Sequence, residues 1–150
     1  PIIRRSMQSL LKFLLRFTKP KSILEVGTAI GFSALLMSEY APADCHITTI
    51  EKYEKRIPIA RENFDKYGRE DKITLLEGDA TEILKELDGT YDVIFMDIMM
   101  PKLNGWDATR RIRSMKRSDA GNVPIIAMSA NAFAEDIINS RWMKRSCWKQ

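Results

Sequence analysis

Five short apolar segments recur along the 150-residue chain, and their spacing constrains the fold more than any other feature. They are SILEVG (22–27), HITTIE (46–51), KITLLEGD (72–79), YDVIFMD (91–97) and VPIIAMSA (123–130). Each is rich in β-branched residues and bounded by Gly, Pro, Asp or Asn, as strands buried in a parallel sheet are. Residues 31–40, 52–67, 80–88, 104–117 and 131–143 carry helical patterns between and after them. Strand and helix in regular succession predict an α/β layered sheet with right-handed crossovers. No linker, repeat or low-complexity stretch interrupts the pattern, so residues 1–150 read as one domain.

A sixth helix is expected at the start, in PIIRRSMQSLLKFLLRF. Leu10, Leu11, Leu14, Leu15 and Phe17 form a helical stripe with Arg and Lys between them. Such a stripe suits a helix docked on its own core better than one lying on a membrane. No apolar run approaches a membrane span and nothing resembles a signal peptide, so a cytoplasmic setting without membrane contact is expected. Cys45 and Cys147 lie far apart without CxxC spacing, and His46 is the one histidine in the sequence. That set argues against a zinc site and for a reducing compartment.

Charge is uneven. Residues 1–97 carry 14 Lys/Arg against 16 Asp/Glu, and residues 98–150 carry 10 against 4. The end, RWMKRSCWKQ, holds four cations and no anion. A solvated basic tail over residues 140–150 is the simpler reading of it than a nucleic-acid contact.

Ligands of open α/β sheets bind beyond the carboxyl ends of the strands, which directs attention to Gly27, Glu51, Asp79, Asp97 and Ser129. After the first segment, EVGTAIGFS places Gly27 and Gly31 around a tight turn into a helix near Phe32. Glycine lets backbone approach a ligand closely, and a helix start offers unpaired N–H groups. Glu51 ends the next strand 20 residues after Gly31, where a carboxylate can accept both hydroxyls of a ribose. Asp79 and Ala80 follow the third strand, where an adenine edge would lie.

From about residue 5 to Asp97 the chain resembles the class I S-adenosylmethionine-dependent O-methyltransferases of the catechol and caffeoyl-CoA type, above all in ILEVGTAIGFSALLMSEYAPADCHITTIEKYEKRIPIARENFDKYG. The resemblance implies that Glu25, Gly27, Ala29, Gly31 and Ser33 surround the methionine part of S-adenosylmethionine or S-adenosylhomocysteine. It also implies that Glu51 holds the ribose, with Tyr53, Asp79 and Ala80 near the adenine. Asp97 would face the methionine end and, in metal-dependent members, a divalent cation. After Asp97 the chain reads IMMPKLNG, without the further acidic and amide ligands that such a cation needs, so a magnesium site is not expected.

Residues 92–139 resemble something else. DVIFMDIMMPKLNGWDATRRIR, followed by VPIIAMSANAFAED, is similar to the receiver domain of response regulators attached to hybrid histidine kinases. That resemblance makes Asp97 a phosphoryl acceptor, gives Pro101 and Gly105 the following loop, and makes Ser129 the switch hydroxyl. Receivers also need an acidic pair after their first strand, where this chain has VGTA (26–29), and a Lys-Pro after their last strand. Lys144, Arg145 and Lys149 stand outside any such context.

YDVIFMD suits both resemblances, since in each the strand pairs with the first. Joining them there predicts a single three-layer Rossmann/flavodoxin-like domain, with a five-stranded parallel sheet in the order 3-2-1-4-5. Its halves are methyltransferase-like 1–97 and receiver-like 98–139. A join inside one sheet favours an engineered or recombined chimera that keeps the cofactor pocket without turnover. The alternatives are an O-methyltransferase, a receiver module phosphorylated on Asp97, and a scaffold without ligand. A truncated receiver half leaves 123–130 as a sheet edge, so a homodimer through that edge or through a terminal helix is expected.

Overall fold

The computed structural model describes residues 3–97 and 105–128. Within them the order is α1 (Arg5–Thr18), β1 (Ser22–Val26), α2 (Phe32–Tyr40), β2 (His46–Glu51), α3 (Ile57–Lys66), β3 (Ile73–Glu77), α4 (Ala80–Glu86), β4 (Val93–Asp97), α5 (Gly105–Ser114) and β5 (Ile125–Met128). The five strands form one sheet in the order β3-β2-β1-β4-β5, and each pair is parallel. The expected sheet order is therefore met, and β1 lies at its centre. The expected helix at 131–143, Pro101, Ser129 and the basic tail lie outside the described residues.

Alternation along the strands divides the core in two. Ile23, Ile47, Ile73, Val93 and Phe95 face α1, α2 and α3, through Leu11, Leu15, Met37, Ala60 and Phe64. Leu24, Val26, Ile50, Ile94 and Met96 face α4 and α5, through Leu84, Ala108 and Ile112. The period of two then sets the site. Glu25, Glu51 and Asp97 share the parity of Ile23, Ile47 and Val93, so three carboxylates end up on the α2 side of adjacent strands. Where β1 and β4 begin, the Asp92 carboxylate accepts the N–H groups of Lys21 and Ser22 at 2.7 and 3.1 Å, which helps fix their alignment.

Two expectations need correction. β3 is an edge strand and only Ile73 in it is fully buried, because one side of it has no neighbouring strand. The region 52–67 is helical only from Ile57, with Tyr53–Arg56 forming a turn whose Arg56 N–H reaches the Tyr53 carbonyl at 2.8 Å. The stripe on α1 also divides. Leu11 and Leu15 are buried, whereas Leu10 and Phe17 are exposed, because docking on a sheet covers one side of a helix.

That division yields a test by chemical denaturation. Leu15→Ala opens a void under α1 and should cost about 2–5 kcal/mol. Phe17→Ala removes an exposed ring and should stay within about 0.5 kcal/mol.

Candidate cofactor site

The turn between β1 and α2 is built on positive φ angles. Gly27 and Gly31 have φ of 105° and 86°, and Ala29 is held at 51°. Glycine tolerates such angles, whereas alanine does so only when the surroundings enforce it. The enforcement at Ala29 is a hydrogen bond from its N–H to the Glu51 carboxylate, 2.6 Å long. The N–H groups of Gly27 and Thr28 both reach the Ile50 carbonyl, at 3.0 and 3.1 Å, so the turn is clamped to the end of β2.

Sequence reasoning assigned both glycines to close approach of a ligand, but in the structure protein atoms occupy the missing side-chain space. A Cβ on Gly27 would lie 2.8 Å from the Asp97 Cβ. One on Gly31 would lie 2.6 Å from the Phe64 ring, on α3. Glycine is thus required at both positions for packing, whatever binds above them.

Glu25 is fully buried on the central strand. Ser33, at the start of α2, donates to one of its oxygens, and Thr49 of β2 donates to the other at 2.5 Å. Thr49 has a single proton and gives it to Glu25, so at the 2.5 Å contact between Thr28 and Thr49 the donor is Thr28. Burial pushes the Glu25 carboxyl up to about 7, against the lowering effect of the Ser33 and Thr49 hydroxyls. The negative charges of Asp97 and Glu51 raise it further.

Glu51, 7% exposed, accepts three backbone N–H groups: Ala29 on one oxygen, and Lys52 and Tyr53 on the other at 3.0 and 2.8 Å. A carboxylate offers about four acceptor positions, so these bonds leave roughly one. Gripping both hydroxyls of a ribose would require one amide to move or to share its oxygen. Asp79 caps α4 by accepting the Thr81 N–H at 2.8 Å, and it pairs with Lys52. The hydrogen bond from Lys52 holds the Asp79 carboxyl down at about 2. Tyr53 is half exposed beneath the Arg56 guanidinium, 5.4 Å from the ring centre, and leaves one aromatic face for a flat ligand. Ala80 opens α4.

The residues expected at the site therefore converge on one edge of the sheet. Four carboxylates stand there, and no side chain caps the first turn of α2. The arrangement suits a ligand with a cationic centre and hydrogen-bonding groups. Among the described residues no group of three or more His, Cys, Asp or Glu side chains is placed to hold a metal ion. Sequence reasoning missed Thr28 and Thr49, the partners that let Glu25 be buried. Polar residues at inward parity on β2 were the available signal. Cys45 is a free buried thiol remote from this chemistry, and burial pushes it up to about 11.

The profile of the O-methyltransferase family matches residues 2–103. The chain belongs to this family. Among O-methyltransferase relatives, the catechol O-methyltransferase of Niastella koreensis is 32% identical over 95 residues, covering 61% of this chain and 43% of that protein. The solved S-adenosylhomocysteine-bound methyltransferase PaMTH1 of Podospora anserina is 41% identical with a TM-score of 0.60, over 63% of this chain and 41% of that one. A solved methyltransferase of Geobacter sulfurreducens shares the fold over 98% of this chain and 72% of its own, with a TM-score of 0.71 at 20% identity. A further match is of a different kind. The Oryza sativa subsp. indica protein named probable histidine kinase 2 is 47% identical over 47 residues, 31% of this chain and 4% of that protein. The chain spans between 32% and 43% of the length of three O-methyltransferase relatives.

Glu25 makes stability depend on pH in a defined window. Its folded-state value, about 7, lies above the ordinary 4.5, so the native state binds the extra proton between those values. Stability from this group is complete below about pH 4.5 and falls as pH rises through 7, by at most roughly 3 kcal/mol. Glu25→Gln should remove that component, read as a flatter thermal midpoint between pH 4.5 and 7 than in the parent protein. Equal slopes in the two proteins would refute the assignment. Gly27→Ala, strained in φ and pressed on Asp97, should destabilise by about 1–3 kcal/mol in denaturant titrations.

Proposed function

We propose that this O-methyltransferase-family chain binds S-adenosylmethionine and S-adenosylhomocysteine at the β1–α2 turn. The observation that carries the proposal is the convergence of Glu25, Glu51, Asp79 and Asp97 around a turn held by Gly27, Ala29 and Gly31. When bound, S-adenosylmethionine supplies an electrophilic methyl group on a sulfonium. The chain's part is to orient it. Glu25 and Ser33 anchor the start of α2 beneath the methionine end. Glu51 offers its remaining acceptor position to a ribose hydroxyl, and Tyr53 and Ala80 flank the adenine, with Asp79 receiving its edge. Asp97 faces the methionine end and, as a single carboxylate, is the candidate ligand for a cation. The S-adenosylhomocysteine in the Podospora anserina relative supports the ligand class.

Methyl transfer to an oxygen acceptor is the reaction that the family and its catechol O-methyltransferase relative favour over a chimera without turnover. The family match runs to residue 103, past the expected join at Asp97. We read residues 1–150 as one domain, with cofactor-binding groups in 1–97, an acceptor side built from 98–139, and a basic tail at 140–150. A second reading, a receiver-like module with Asp97 as phosphoryl acceptor, rests on the 47-residue match to the histidine kinase.

Calorimetric titration with S-adenosylhomocysteine tests the main reading. Binding in the micromolar range is expected, weakened at least about tenfold in Glu51→Ala and in the volume-preserving Glu51→Gln. Absence of heat in the parent protein would leave a fold without this ligand. Mass spectrometry after acetyl phosphate and magnesium tests the second reading, for which the unshifted mass would be fatal. Methylation of a catechol with and without magnesium then separates turnover from binding alone.

A further inference from the structure

Helix α1 has two apolar faces, and the fold uses one. Leu11 and Leu15 enter the core. Leu10, Phe13 and Phe17, at spacing i, i+3 and i+7, form a second stripe that is 45%, 61% and 76% exposed. The Phe13 and Phe17 rings stack, with centroids 5.8 Å apart and planes inclined by 13°, so the stripe carries a continuous aromatic surface. At 100° per residue, Arg5, Lys12 and Arg16 fall in one row along a single edge of that stripe. The row is braced from α2: the Lys12 ammonium and the Arg16 guanidinium both sit over the Tyr40 ring, at 4.5 and 5.1 Å. Residues 1–24 hold six Lys/Arg and no Asp/Glu.

Charge selects among the occupants that such a face can take. A second copy seated there would bring two basic helices together, and neither α1 holds a carboxylate to pair with the other. An anionic lipid surface answers both features, since aromatic and leucine side chains enter the headgroup–acyl boundary while cations meet the headgroups. No helix among the described residues is long and apolar enough to cross a membrane, which leaves surface attachment as the geometry.

We propose that the outer face of α1 docks the protein on anionic lipid surfaces, with Leu10, Phe13 and Phe17 inserted and Arg5, Lys12 and Arg16 at the phosphates. This reverses the expectation that α1 serves the core alone. It is also independent of the cofactor reading, because none of these residues belongs to that site.

Sedimentation of the full chain with large unilamellar vesicles tests it, using phosphatidylcholine alone and phosphatidylcholine with about 30 mol% phosphatidylserine. Binding is expected to the anionic vesicles only, and to weaken as salt is raised. Phe13→Ser/Phe17→Ser should lower it at least about tenfold. Lys12→Glu/Arg16→Glu should abolish it. Both variants change exposed or half-buried positions, and unchanged thermal unfolding would show that they fold. No binding to anionic vesicles, equal binding by the aromatic variant, or equal binding to neutral vesicles would each overturn the proposal. A dimer of the parent protein that the aromatic variant dissolves, without vesicle binding, would assign the face to a second copy instead.

Discussion

A carboxylate buried in the middle of a parallel sheet must be satisfied by its neighbours or remain protonated, and Glu25 imposes that condition on everything around it. β1 has strands on both sides and helices on both faces, so water has no route to the side chain. Ser33 and Thr49 answer it, and in doing so they tie α2 and β2 to the central strand. Thr28 extends the chain of hydroxyls into the turn itself. The start of α2, the end of β2 and the turn between β1 and α2 are thus held through one side chain.

The same elements set up an electrostatic tension. Glu51 is needed in its ionised form to hold the N–H groups of Ala29, Lys52 and Tyr53, yet its charge raises the cost of ionising Glu25. Asp97 adds a second negative charge to the same side of the sheet. Lys52 relieves Asp79 but leaves the other three acids without a cation of comparable proximity in the described hydrogen-bond network. A cationic ligand would lower the cost of keeping Glu25 ionised, which couples binding to proton release. Affinity for such a ligand should then rise with pH over the window in which free Glu25 loses its proton.

Strand positions and sheet order were legible because period-two alternation and the Gly, Pro and Asp boundaries are local. Parity alone places Glu25, Glu51 and Asp97 on one side. Other features depend on contacts between residues distant in sequence. The neighbour that makes Gly31 obligatory is Phe64, 33 positions later, and nothing near Gly31 announces it. Glu51 looks like a free acceptor in sequence, since amides recruited to it by the fold of a turn leave no pattern. α1 was legible as amphipathic, yet five apolar positions were assigned to one face when the fold divides them between core and surface. Helical periodicity specifies which residues share a side, and only packing specifies which side is covered.

Asp97 is where two family resemblances overlap, and parity explains why one residue can satisfy both. An acid at the end of β4 points to the α2 side, beside the Gly27 turn, whatever chemistry follows it in the chain. Each candidate cofactor residue lies at or before Asp97, within the region matched by the O-methyltransferase family. Groups that would hold a methyl acceptor must come from the segment after it, where the sequence resembles receivers. Binding and turnover are therefore encoded in different parts of one sheet. β1 to β4 build the cofactor side with hydrogen bonds that close among themselves, so that side does not depend on what β5 and the residues beyond it contribute.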